Sequence, residues 1–126
     1  MEHTTDDLEL VLTKALRNLL RPLWSGLYVS RALPETRPSY AVTVQAAGGM
    51  PRGRFRDQSR FSVNVYAPTH AEANRLAGDA RVALMSIRGH DPIVSIEASV
   101  YSDTTDPNEL PTRYFYAEVL HRRSQP

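Results

Sequence analysis

Residues 46–88 place a strand pattern directly ahead of a helix that is signalled at both ends, and no other stretch constrains the fold as closely. Phe61, Val63 and Val65 alternate with Ser62 and Asn64, the period-two mark of a strand with one buried face. After Ala67-Pro68, the run Thr69-His70-Ala71-Glu72 forms a capping box, in which hydroxyl and carboxylate satisfy backbone donors that the first turn leaves open. Ala73, Leu76, Ala77, Ala80, Ala83, Leu84 and Ile87 then recur at helical spacing. Gly89 supplies the left-handed residue that stops the helix, and Pro92 blocks its resumption. The many alanines in the stripe call for close packing onto a sheet.

The remaining elements follow from the same periodicities. A first helix is expected over residues 6–21, with Leu8, Val11, Leu12, Leu16, Leu19, Leu20 and Leu23 as its buried face. Asp6 and Glu9 form an N-cap pattern, Lys14, Arg17 and Arg21 lie toward the negative end of the dipole, and Pro22 closes it. Strands are expected over 26–32 (Leu27 and Val29 inward) and 40–46 (Val42 and Val44 inward), besides 60–66. Two more are expected, over 93–101 (Val94, Ile96, Ala98 and Val100 inward) and 113–121 (Phe115, Ala117 and Val119 inward). Pro34 and Pro38 make 33–39 a turn, and the polar stretch 102–112 with Pro107 and Pro111 is a connection. The order α-β-β-β-α-β-β predicts one α+β domain over residues 1–126: a largely antiparallel or mixed sheet packed by two helices. Disorder is expected only at the ends, 1–5 and 122–126.

Composition narrows the function classes. A chain of 126 residues is long enough to bury about two-thirds of its unfolded surface in one domain. With no cysteine, disulfide and thiolate chemistry are excluded. No apolar run approaches the ~20 residues of a membrane span, and the opening MEHTTDDLEL lacks the basic start and apolar core of a secretory signal. The expectation is a protein made and used in a cytoplasm, or packed into something assembled there, without a membrane partner. A net charge of +1 offers no global field toward nucleic acid. Of its 15 cations only Lys14 is not arginine, and arginine suits planar contacts at protein interfaces as well as phosphate.

Catalytic and metal-binding patterns are not assembled in the sequence. His3, His70, His90 and His121 are scattered, and are expected at the surface or at helix ends rather than as ligands. Asp103, Asp106, Asn108 and Glu109 gather oxygen donors, but Pro107 and the lack of a glycine fit turn chemistry better than a calcium loop. Gly48 and Gly53 have phosphate-loop spacing, yet Arg54-Phe55 and a strand follow where Lys, Ser or Thr and a helix are required. No Gly-x-Ser-x-Gly elbow occurs. The chain is expected to be no enzyme and to hold no metal or cofactor.

What remains is the stretch 48–59, GGMPRGRFRDQS, with Arg60 behind it. Arg52, Arg54, Arg56 and Arg60 against Asp57 leave it basic. Read as a loop, it exceeds the two to five residues of an ordinary hairpin connection. It reads as an arm reaching a partner subunit, as a contact to a nucleic-acid backbone, or as a solvated hairpin tip. Phe55 favours the first, because an apolar anchor among arginines suits a protein groove. Tyr114 and Tyr116, on the outward side of the last strand, fit either an interface or base stacking.

The order of elements, the leucine-rich first helix, the Gly/Arg loop ahead of 60–67, Ala67-Pro68-Thr69-His70-Ala71-Glu72-Ala73 leading into Leu76-Ala77, and Pro111 before Arg113-Tyr114-Phe115-Tyr116-Ala117 together resemble the tail terminator, or tail completion, proteins of long-tailed bacteriophages. That resemblance implies a virion protein of the tail and neck, assembled in the host cytoplasm. It implies a homohexameric ring at the head-proximal end of the tail tube. Its partners would be itself, the tail-tube protein and the head-side connector, with DNA passing in the channel. It carries over no catalytic residue. By the same analogy Arg52, Arg54, Phe55, Arg56, Arg60, Tyr114 and Tyr116 would contact a neighbouring subunit or line the channel. A head-completion or adaptor protein of the phage neck, and a nucleic-acid-binding module using the arginine arm, are the alternative readings.

Overall fold

The computed structural model describes residues 5–36, 38–51, 53, 55–90, 92–99, 102–103 and 111–122. Helix α1 (Thr5–Leu20) is followed by strands β1 (Tyr28–Ser30), β2 (Ala41–Pro51) and β3 (Arg56–Tyr66). Helix α2 (His70–Ser86) then leads to β4 (Ile93–Ala98), the two-residue β5 (Ser102–Asp103) and β6 (Thr112–Arg122). The fold is α+β, as the periodicities predict. The strands form one mixed sheet in the order β1-β2-β3-β6-β4, with β5 also paired to β6. Only β1 and β2 run parallel; the other neighbours are antiparallel. Since β3 and β4 are both antiparallel to β6, α2 is a crossover between two parallel strands with β6 inserted between them.

Both helices cover the same sheet face. Leu8, Leu12, Leu16 and Leu20 of α1, and Leu76, Ala77, Ala80 and Leu84 of α2, pack on Val42, Val44, Phe61, Val63, Val65, Phe115, Ala117 and Val119. Each buried phenylalanine, Phe61 or Phe115, stabilises the fold by roughly 2–3 kcal/mol. The stripe of α1 is narrower than its spacing suggests. Its buried leucines keep a strict four-residue step, while Val11, Leu19 and Leu23 stay exposed.

Helix α2 starts where the capping box places it. Thr69 Oγ1 accepts the Glu72 backbone N–H at 3.2 Å. The carboxylate does not reach back to the Thr69 backbone, however; it accepts from the Thr69 hydroxyl at 3.0 Å and from the Tyr40 hydroxyl. Gly89, at φ 84°, ends the turn beyond the helix.

Several expectations are corrected. Asp6 and Glu9 do not form the expected N-cap, since α1 already begins at Thr5 and Asp6 lies within it. The Glu9 carboxylate instead accepts the Ala46 N–H at 2.8 Å and pairs with Arg31 at 2.9 Å. Val94 is only half-buried, because an irregularity between Ile93 and Ser95 inserts an extra residue and turns Ile93 and Ile96 inward. The supposed connection 102–112 contributes β5 and the first residue of β6; 104–110 lie outside the described residues, as do Val100 and Tyr101. Of the ends expected to be disordered, Thr5 belongs to α1 and Arg122 pairs with Arg56 in the sheet; 1–4 and 123–126 lie outside the described residues.

Candidate functional site

The stretch expected as a loop is mostly strand. Pairing of β2 with β3 continues through Gly49↔Ser59, Met50↔Gln58 and Pro51↔Asp57. An extra residue is taken up between Ala46 and Gly49, a bulge that bends and twists the ribbon. Gly48 there has φ 110°, a conformation glycine adopts without strain. The result is a long two-stranded arm with Phe55 at its tip, 59% exposed. Arg52 and Arg54 lie outside the described residues.

β3 and β6 pair in unbroken register from Arg56↔Arg122 to Tyr66↔Thr112. Opposed residues share a face, so Arg56, Gln58, Arg60, Ser62, Asn64 and Tyr66 lie with Leu120, Glu118, Tyr116 and Tyr114 on the side away from the helices. Among the described residues no helix covers this side. The structure thus gathers Arg56, Arg60, Tyr114 and Tyr116 on one surface and sets Phe55 at its projecting end.

Contacts across that surface are specific. The Arg60 guanidinium lies 5.2 Å from the Tyr116 ring centre and donates to Glu118. Gln58 Nε2 donates to the other Glu118 oxygen at 3.0 Å. The rings of Tyr114 and Tyr116 meet edge to face at 6.1 Å. Glu97 stands directly opposite Glu118 across β4 and β6, a like-charge pairing that costs stability when nothing offsets it. Two shallow depressions flank the row. One, of about 330 Å³, is walled by Arg56, Gln58, Ser95, Glu97, Glu118 and Leu120. The other, of about 270 Å³, lies where the arm leaves the sheet, between Gly48, Met50 and Arg60.

The sheet also leaves an edge open. β1 pairs only with Ala41, Val42 and Thr43 of β2. From Val44 to Pro51 no strand covers the outer edge of β2 among the described residues. Glu9 takes the Ala46 N–H there, and Gln45 Nε2 donates to the Arg31 carbonyl at 3.0 Å. An edge left with open hydrogen-bonding groups is a template for association.

No protein-family model matches the chain, and no curated protein matches it.

Two polar arrangements were not visible in the sequence. His121, expected near the surface, is only 2% exposed. Its Nε2 lies 2.8 Å from Ser59 Oγ, and Asp57 stands opposite it in the ladder. Ser, His and Asp therefore lie close together, but Ser59 and His121 are both buried beneath the helices' side of the sheet. A hydroxyl closed to substrate cannot act as a nucleophile, and the pair instead fixes the base of the arm to β6. Arg113, also buried, donates to Asn74 Oδ1 at 2.7 Å and to its neighbour's Thr112 carbonyl at 3.0 Å. It lies 3.3 Å from His70 Nδ1, joining β6 to the first turn of α2. Both sets join residues far apart in sequence, so only the β3–β6 register and the helix crossing reveal them.

Proposed function

We propose that this chain is a non-enzymatic structural subunit that assembles into a ring. Following its resemblance to tail terminator proteins, the ring caps the head-proximal end of a phage tail tube and joins it to the head-side connector. The observation that carries the reading is a sheet face left bare by the helices and prolonged into an arm with an exposed phenylalanine at its tip. Such a face, with aromatic and arginine side chains side by side, has the composition of a protein–protein contact. The open edge of β2 adds main-chain hydrogen-bonding capacity to the same region. Contact with DNA is the weaker reading, because Arg60 is already engaged by Glu118 and Tyr116.

Sedimentation of the purified protein with and without tail-tube subunits tests the reading. A hexamer, formed alone or on adding tubes, supports it. Salt-dependent binding to single-stranded DNA by a protein indifferent to tubes overturns it in favour of a nucleic-acid module.

A further inference from the structure

The sheet has two free edges, and their hydrogen-bonding groups are complementary. On β2 the outer edge is open from Val44 to Pro51 among the described residues. On β4 the side away from β6 carries no strand among the described residues. The Ser99 N–H donates to the Tyr116 carbonyl of β6 at 2.9 Å, so Ala98, one residue earlier, turns its own N–H and carbonyl outward. A side chain occupies half of each edge, in opposite senses. Glu9 takes the Ala46 N–H and leaves the Ala46 carbonyl. Arg81 Nη2 donates to the Ala98 carbonyl at 3.1 Å and leaves the Ala98 N–H.

The two edges also stand at one level. Ala98 pairs with Ala117, Ala117 with Phe61, and Phe61 with Ala46. A second row runs through Ile93, His121, Asp57 and Pro51. The six residues of β4 therefore span the rungs of Ala46–Pro51, a part of β2 that β1 does not reach. Strand direction alternates from β2 through β3 and β6 to β4, so β4 is antiparallel to β2. A rotation about an axis along the strands preserves both level and direction. It sets β4 of one copy beside the open stretch of β2 in the next, with both helix layers on the same side.

We propose that β4 of a second copy pairs with the open edge of β2, continuing one antiparallel sheet from subunit to subunit. The Ala98 N–H of one copy donates to the Ala46 carbonyl of the next. Arg81, whose Nε is buried and has no partner, comes beside Glu9 across the seam. A carboxylate offers about four acceptor sites, so Glu9 keeps room beside the Ala46 N–H and Arg31. The helices add an apolar flank. Leu10 lies two turns before Arg17, which reaches the Val29 carbonyl of β1 at 2.8 Å, and Met85 lies one turn beyond Arg81. Both are exposed, and the seam brings them together. A two-fold joining of β2 to β2 lacks this match, because it sets one taken N–H against another. The seam joins two different edges, so repetition closes a ring where the rotation allows it. This rests on the ring reading above and names the surfaces that make it.

The chain has no cysteine, so an introduced pair reports without background. Ala47→Cys and Glu97→Cys, both at exposed positions, are combined in one chain and treated with a short bismaleimide. Within one chain β2 and β4 are separated by β3 and β6, a span of roughly 14 Å. The expected product is a ladder of covalent multimers ending at the ring. Ala98→Pro removes the seam donor and spares the bonds to β6, since proline is tolerated where an edge N–H faces outward. Leu10→Asp places a charge on the apolar flank. Each variant, folded by circular dichroism, is expected to abolish the ladder and weaken association about tenfold or more. A ladder that survives both substitutions overturns the seam. An oligomer by native mass that gives no ladder also overturns it and leaves the ring reading standing. Dimers crosslinked through Ala47→Cys alone mark a β2–β2 contact and overturn it, as does a crosslink confined to monomer mass. A monomer that neither crosslinks nor assembles on tail tubes overturns both.

Discussion

The Glu9 carboxylate of α1 accepts the backbone N–H of Ala46 at 2.8 Å, holding the first helix to the open edge of β2 where the arm departs. Glu9 is nearly fully buried, and its ion-pair partner Arg31 is largely exposed, so the backbone contact outweighs the ion pair. Glu9→Ala is expected to destabilise the protein by about 2 kcal/mol, the range for a lost charge-assisted hydrogen bond. Glu9→Gln, which keeps an acceptor, is expected to lose less. Urea unfolding of both variants measures the difference; equal losses would contradict it.

The Tyr40–Glu72 contact carries a pH signature. The Tyr40 hydroxyl holds the Glu72 carboxyl below its ordinary value of 4.5, with the Thr69 hydroxyl adding to the effect. In return, the bond to Glu72 raises the Tyr40 hydroxyl above 10.0. A depressed carboxyl gives stability that is present above the unfolded value and lost as pH falls through the folded one. A raised phenol gives stability present below its unfolded value and lost as pH rises through the folded one. The advantage of the wild type over Tyr40→Phe is therefore expected to be largest at neutral pH, shrinking on the acid side of 4.5 and the alkaline side of 10. Melting temperatures across that range test it, and a constant gap would contradict it.

Gly49 faces Ser59 across the arm's two strands. A Cβ there would lie 2.5 Å from the Gln58 backbone oxygen, closer than packed atoms tolerate. Gly49→Ala is expected to cost about 1–3 kcal/mol and to open the arm beyond the bulge. Faster hydrogen exchange at Gln58 and Ser59, with Phe61 and Val63 unchanged, is the expected result. Uniform protection would contradict it.

Arg60 and Glu118 allow a charge swap. Arg60→Glu sets like charges opposite one another and is expected to cost about 1 kcal/mol. Adding Glu118→Arg is expected to restore monomer stability but not self-association, because the face presented to a partner has changed. Full recovery of assembly in the swapped protein would show that this face is not a contact.

The legible parts of the fold are those decided locally. Thr69, Glu72 and Gly89 mark α2 through chemistry within a turn, and Phe61, Val63 and Val65 announce their strand by alternation alone. Register-dependent features were not legible. Gly48, Gly49 and Pro51 break the alternation of β2, so a bulged ribbon reads as a loop; the Val94 irregularity hides the inward turn of Ile93 in the same way. Leu19 and Leu23 have the spacing of a core stripe but fall outside the four-residue row, Leu8, Leu12, Leu16 and Leu20, that meets the core. Of the proposed surface, the residue types were visible in sequence. Their gathering depends on β6 lying between β3 and β4, which no local pattern specifies.

The central claim is self-assembly into a ring. The measurement that tests it most directly is the native mass of the purified protein, alone and mixed with tail-tube subunits, by analytical ultracentrifugation. A hexamer, present alone or appearing when tubes are added, is the predicted result. A monomer under both conditions would contradict it.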